Sequence, residues 1–107
     1  MNGPRRVRVG ETGKLRESSG KCILAGHLDV AVFKRGGMFF AVNNVCAHQH
    51  FSLLHKGALE GTNVTCPMHG WTYDMRTGRA TTGEGAVARY ETTVENGVVF
   101  VSIPDEE

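Results

Sequence analysis

The sequence lacks long apolar runs, an excess of either charge and an even set of cysteines, and each absence removes a class of protein. Apolar stretches such as 98–101 last only a few residues, whereas a membrane-spanning helix needs about 20. A cytoplasmic or equivalent soluble protein that does not engage a membrane is therefore expected. Twelve Lys and Arg stand against eleven Asp and Glu, a formal net charge of +1. That balance gives no basic footprint for nucleic acid and no obvious steering field for a partner. Arg5 and Arg6 form a twin arginine, but no apolar segment follows to make them an export signal. The 107 residues suit one domain, 1–107, with one modest core. The three cysteines make an odd count, so a disulfide has no good case. Cys22, within Lys21-Cys22-Ile23-Leu24-Ala25, reads as a small hydrophobe in a buried strand.

Glycine, by contrast, is plentiful: 14 residues fall at punctuation points between short runs rich in Val, Phe, Thr and Tyr. This pattern predicts an all-β domain of many short strands, at 6–9, 22–26, 28–34, 38–42, 63–66, 71–74, 88–94 and 98–103. Gly36-Gly37 and Asn96-Gly97 mark two tight hairpins, because both dipeptides accept the positive φ of a two-residue turn. Pro104 stops the last strand, and 105–107 form an acidic tail. The stretch 43–61 shows no convincing strand, and long irregular segments in compact domains are usually functional or disordered; this one carries Cys-x-His, with a second knuckle following at Cys66. The region 43–83 is therefore read as a site-bearing insertion on a β scaffold.

That insertion carries two knuckles, Cys46-Ala47-His48 and Cys66-Pro67-Met68-His69, separated by the 17 residues 49–65. Four soft or borderline donors converging from two short motifs point to a metal site. Structural zinc sites usually pair Cys with Cys and His with His. Here each knuckle supplies one of each, which suits a binuclear cluster whose two irons differ in ligation. A zinc staple on the same four residues, in a binding module without redox chemistry, is the rival reading.

The residues Cys46-x-His48, then Cys66-x-x-His69-Gly70, resemble the signature of the Rieske family. The likeness runs from Cys46 to Gly78 through Trp71-Thr72-Tyr73-Asp74 and Thr77-Gly78. It implies a Rieske-like antiparallel β-sandwich with a cluster-binding loop insertion. It also implies one [2Fe-2S] cluster, with both thiolates on one iron and both imidazoles on the other. The implied ligands are Cys46, His48, Cys66 and His69, the histidines exposed at a tip and the cysteines deeper. Rieske subunits of cytochrome bc-type complexes add a bridged cysteine pair in the ligand loops; Phe51 and Met68 occupy those regions here. Those subunits also place a cluster-bonding serine two residues after the second histidine, where this chain has Trp71, whereas Tyr73 matches the accompanying tyrosine. Loss of one such hydrogen bond predicts a potential nearer about −150 mV than +300 mV.

The His-Gly-Trp-x-Tyr-Asp pattern resembles the Rieske domains of ring-hydroxylating oxygenases and their ferredoxins. It implies a monomeric one-electron carrier between a reductase and a terminal oxygenase or similar enzyme. The chain is not expected to catalyse a reaction alone, since it has no second domain for a mononuclear iron site of two histidines and a carboxylate. A small Rieske-like subunit of a larger reductase, such as NAD(P)H-dependent nitrite reductase, is the alternative. His50 and His55 are read as polar loop residues and His27 as a turn residue. Pro67 and Gly70 are read as loop-shapers, Tyr73 as a donor to a cysteine sulfur, and Trp71 as either core or a half-exposed docking residue.

Overall fold

The computed structural model describes residues 5–25, 28–45, 54–67, 70–81 and 85–104. They form nine strands: β1 (Arg5–Glu11), β2 (Ser19–Ala25), β3 (Leu28–Arg35), β4 (Met38–Asn43), β5 (Ala58–Glu60), β6 (Asn63–Thr65), β7 (Thr72–Asp74), β8 (Arg89–Glu95) and β9 (Val98–Ile103). Two single 3-10 turns, Thr12–Lys14 and Leu54–Lys56, complete the regular structure. Pairing is antiparallel throughout the two sheets, one ordered β1-β9-β8-β4-β3-β2 and the other β5-β6-β7.

The larger sheet consists of two halves, β1-β9-β8 and β4-β3-β2. They are joined along a seam of only two residue pairs, Ala41 with Tyr90 and Val42 with Arg89. Short pairing at that seam lets the halves fold toward each other, giving the expected β-sandwich. Both marked hairpins form as two-residue loops, closed by the pairs Arg35–Met38 and Glu95–Val98. Their central residues sit at φ 62° and 78° (Gly36, Gly37) and 52° and 76° (Asn96, Gly97). Positive φ at both positions matches the right-handed twist of the flanking strands.

Strand β3 explains how one sheet serves two cores. Val30, Ala31, Val32 and Phe33 are all buried, and successive side chains point to opposite faces. Val30 and Val32 enter a cluster with Val9, Ala41, Val99, Val101 and Ile103, which fills the space between the two halves. Ala31 and Phe33 enter a second cluster with Val42, Leu54, Val64, Cys66, Tyr73, Met75 and Val87. This second core glues the β5-β6-β7 sheet to the outside of the sandwich. Each fully buried aliphatic or aromatic side chain contributes about 1.5–3 kcal/mol, so both cores hold the fold.

Two expectations are corrected. The stretch 43–61 does contain a strand, β5, whose Ala58, Leu59 and Glu60 pair with Thr65, Val64 and Asn63. Three residues are too few for alternation to register against the neighbouring loop. The strand around Cys22 is not buried: β2 lies at the sheet edge, only Ala25 within it is buried, and Leu24 is 73% exposed. Pro104 directly follows the end of β9, as expected.

Candidate metal centre

The four expected ligands fall on the two connections that the smaller sheet and the loop before it provide. Cys66 follows β6 directly and is 1% exposed, packed with Val64, Leu54 and Tyr73 in the second core. Its backbone N–H donates to Trp71 O at 2.7 Å. Beneath that closure Thr65 and Thr72 are register partners whose hydroxyls meet at 2.9 Å. The segment 66–71 is thus a loop tied shut at its base, and Gly70 turns it at φ +72°. That value carries a steric cost for a residue with a Cβ. Pro67 is exposed, and Trp71 is half-buried against the second core. Cys46, His48 and His69 lie outside the described residues, as do His27, His50, Phe51, Met68 and Gly83. Among the described residues no three Cys, His, Asp or Glu side chains gather, as expected when only one of the four is placed.

Described residues that flank the two knuckles share one core. Val45 ends the described chain before Cys46, and Leu54 resumes it after the loop. Leu54 is fully buried in the same cluster as Cys66. The loop ends are held by Asn44, a fully buried polar residue. Its backbone N–H donates to Asp29 O at 2.8 Å, and its carbonyl accepts from Leu54 N at 3.1 Å. Its side chain donates through Nδ2 to Asp29 Oδ1 at 3.1 Å and accepts at Oδ1 from His55 N at 2.6 Å. His55 Nδ1 also lies 3.1 Å from Asn44 Oδ1. Since that oxygen only accepts, the contact places the proton on Nδ1. His55 is therefore a tethered, half-buried loop residue. Sequence reasoning missed Asn44; the only signal was the pair Asn43-Asn44 at the point where a strand pattern stops.

Cys22 joins the same network. Its Sγ donates to Asp29 Oδ1 at 2.9 Å, so it serves as a polar contact more than as the expected apolar filler. Burial, then the hydrogen bond and negative charge of Asp29, push the thiol up to about 11. Neither Cys22 nor Cys66 is in a disulfide.

Several residues of the motif after His69 have structural work. Tyr73 is fully buried beside Cys66. Asp74 accepts from Arg76 N, Nε and Nη2 at 2.9, 3.1 and 2.9 Å, and its carbonyl accepts from Gly78 N at 2.7 Å. The Arg76 side chain holds the Asp74 carboxyl below its ordinary range. Thr77 Oγ1 accepts from Arg79 N at 3.2 Å. Gly78 stands at φ +82°, where a Cβ would meet Val87 O at 2.1 Å, so only glycine fits.

A family model for the Rieske [2Fe-2S] domain matches residues 5–95. The chain belongs to the Rieske [2Fe-2S] family. Its cofactor is accordingly one [2Fe-2S] cluster, which displaces the zinc rival, and a buried thiol between two loops suits that cofactor. The Rieske domain is 36% identical over 81 residues to the ferredoxin component of the p-cumate 2,3-dioxygenase system of Pseudomonas putida, covering 74% of this chain and 68% of that protein. It superposes on the ferredoxin of carbazole 1,9a-dioxygenase from Nocardioides aromaticivorans IC177 with a TM-score of 0.86 and 25% identity, over 97% of this chain and 100% of that one. A candidate NADH-dependent nitrite reductase small subunit from Mycobacterium tuberculosis shares the fold, with a TM-score of 0.91, 18% identity, and 98% and 100% coverage. Among the described residues no helix is long and apolar enough to cross a membrane.

Proposed function

We propose that this chain is a Rieske-type ferredoxin, a single domain over 1–107 whose cluster is held by Cys46, His48, Cys66 and His69. The observation that carries the reading is its 36% identity, across 68% of that protein, to a dioxygenase ferredoxin component. The cluster supplies one-electron chemistry when bound. The chain's own residues do the rest. Cys66 offers a thiolate from a buried, hydrogen-bonded loop end. Tyr73, buried in the same cluster, is assigned as a donor toward a cysteine sulfur. Trp71, half-buried against the second core, is assigned to partner docking. Where bc-type proteins have a serine, Trp71 brings no hydroxyl, and one hydrogen bond fewer to the cluster keeps the potential in the lower part of the Rieske range, nearer about −150 mV.

The partners are a reductase that donates and a terminal oxygenase or similar enzyme that accepts, met by a monomeric cytoplasmic carrier. The test mixes the purified protein with an NADH-dependent ferredoxin reductase and a ring-hydroxylating terminal oxygenase. Oxygenase turnover that rises in proportion to this chain supports the carrier. Native purification of the chain in a fixed stoichiometry with a nitrite reductase catalytic subunit would replace the carrier with the bound-subunit reading.

A further inference from the structure

We infer that Asn44 is a positioning residue on which cluster retention depends, tying the described chain on both sides of 46–53 to β3 through Asp29, Leu54 and His55. The inference rests on the proposed ligand set. Four hydrogen-bonding groups of this one residue are engaged at once: backbone N–H to Asp29 O, carbonyl from Leu54 N, Nδ2 to Asp29 Oδ1, and Oδ1 from His55 N. Asp29 stands at the start of β3, and Leu54 and His55 begin the chain that leaves the loop. Both ends of 46–53 are thereby referred to the same rigid strand. Asn43 extends the anchorage, accepting from Val45 N at Oδ1 (2.9 Å) and facing the Tyr90 hydroxyl through Nδ2 (3.3 Å).

The chemistry requires an amide at this position. One side-chain atom must donate to a carboxylate while the other accepts an N–H, and asparagine does both without charge. An aspartate here would set a second carboxylate against Asp29 Oδ1, and an alanine would leave buried partners unmatched. Residues that orient metal ligands from behind affect the metal about as a rule of 10- to 100-fold in affinity.

The test compares the cluster-loaded wild type with Asn44→Ala, Asn44→Asp and the exchange double variant Asp29→Asn/Asn44→Asp. The double variant restores one donor and one acceptor with their positions swapped. Three properties are read: bleaching of the visible spectrum by an iron chelator, the EPR line shape after dithionite, and the reduction potential. Both single variants are expected to bleach about tenfold or more faster, with broadened EPR lines and a shifted potential. The double variant is expected to recover slow bleaching and narrow lines. Single variants matching the wild type in all three properties would overturn the inference, as would a double variant no better than Asn44→Asp. Single variants that lose the β-sheet signal in far-ultraviolet circular dichroism would also overturn it, by making Asn44 a scaffold residue. A wild type without the [2Fe-2S] spectrum would instead sink the proposed function.

Discussion

The two sheets of this domain are built on different terms. The six-stranded sheet has strands of six to eight residues and two-residue hairpins. Many weak, redundant terms specify it. The three-stranded sheet has strands of three residues each, too short to be secured by pairing alone. It is held instead by the second core, in which Val64 and Tyr73 are fully buried, and by close approaches: Gly57, where a Cβ would meet Thr65 O at 2.3 Å, Gly78 against Val87, and Asp74 capping its own turn. The larger sheet rests mainly on repeated pairing, with a close approach at Gly20, where a Cβ would meet His55 O at 2.3 Å, and the smaller sheet rests on packing and close approaches.

Substitutions can break or sharpen that contrast. The largest effect is expected for Cys66→Ala: complete loss of cluster absorbance, with the circular dichroism of the larger sheet retained. A coloured variant would remove Cys66 from the ligand set. Next comes Gly78→Ala, where both the positive φ and the 2.1 Å approach to Val87 O predict a cost of about 3 kcal/mol or more in denaturant unfolding. Gly36→Ala, at φ +62° with nothing within 4 Å, is expected to cost about 1–2 kcal/mol. Equal costs would erase the distinction between the two regions.

A smaller effect concerns Cys22 and pH. Burial and the neighbouring Asp29 raise its thiol in the folded state to about 11 from an ordinary value of 9.0. The neutral form is favoured by folding, so this contribution is fully present below pH 9 and is lost as pH rises toward 11. Cys22→Ser keeps a donor for Asp29 but does not titrate there. Its melting temperature is expected to fall less than that of the wild type across this window; parallel curves would refute the Asp29 contact. The smallest effect is that of Arg76→Gln. The Asp74–Arg76 pair is at the surface, with the Arg76 side chain 65% exposed, and such pairs are worth about 0–1 kcal/mol. Because the Asp74 carboxyl is held low, the difference should be present at neutral pH and vanish as pH falls through its folded-state value.

The same contrast governs what the sequence reveals. Strands β3, β4, β8 and β9 and their turns were legible because runs rich in Val, Phe, Thr and Tyr and the Gly-Gly and Asn-Gly dipeptides repeat one message. Strand β5 was not, since Ala58-Leu59-Glu60 carries no periodicity. The Rieske resemblance was legible because Cys and His at fixed spacing carry metal chemistry by type alone. The part played by Asn44 was not, since its partners Asp29 and His55 lie 15 and 11 residues away and meet it only once the strands pair. Cys22 misled for a related reason. An apolar neighbourhood in sequence suggested burial, whereas β2 is an edge strand and Asp29 faces the thiol.

The most direct test of the central claim is EPR spectroscopy of the protein purified without oxygen and reduced with dithionite. A red-brown sample whose reduced signal has the low average g of a histidine-ligated [2Fe-2S] centre is the predicted result. A reduced signal with the higher average g of an all-cysteine cluster, or a colourless sample that stays silent after reconstitution with iron and sulfide, would contradict it.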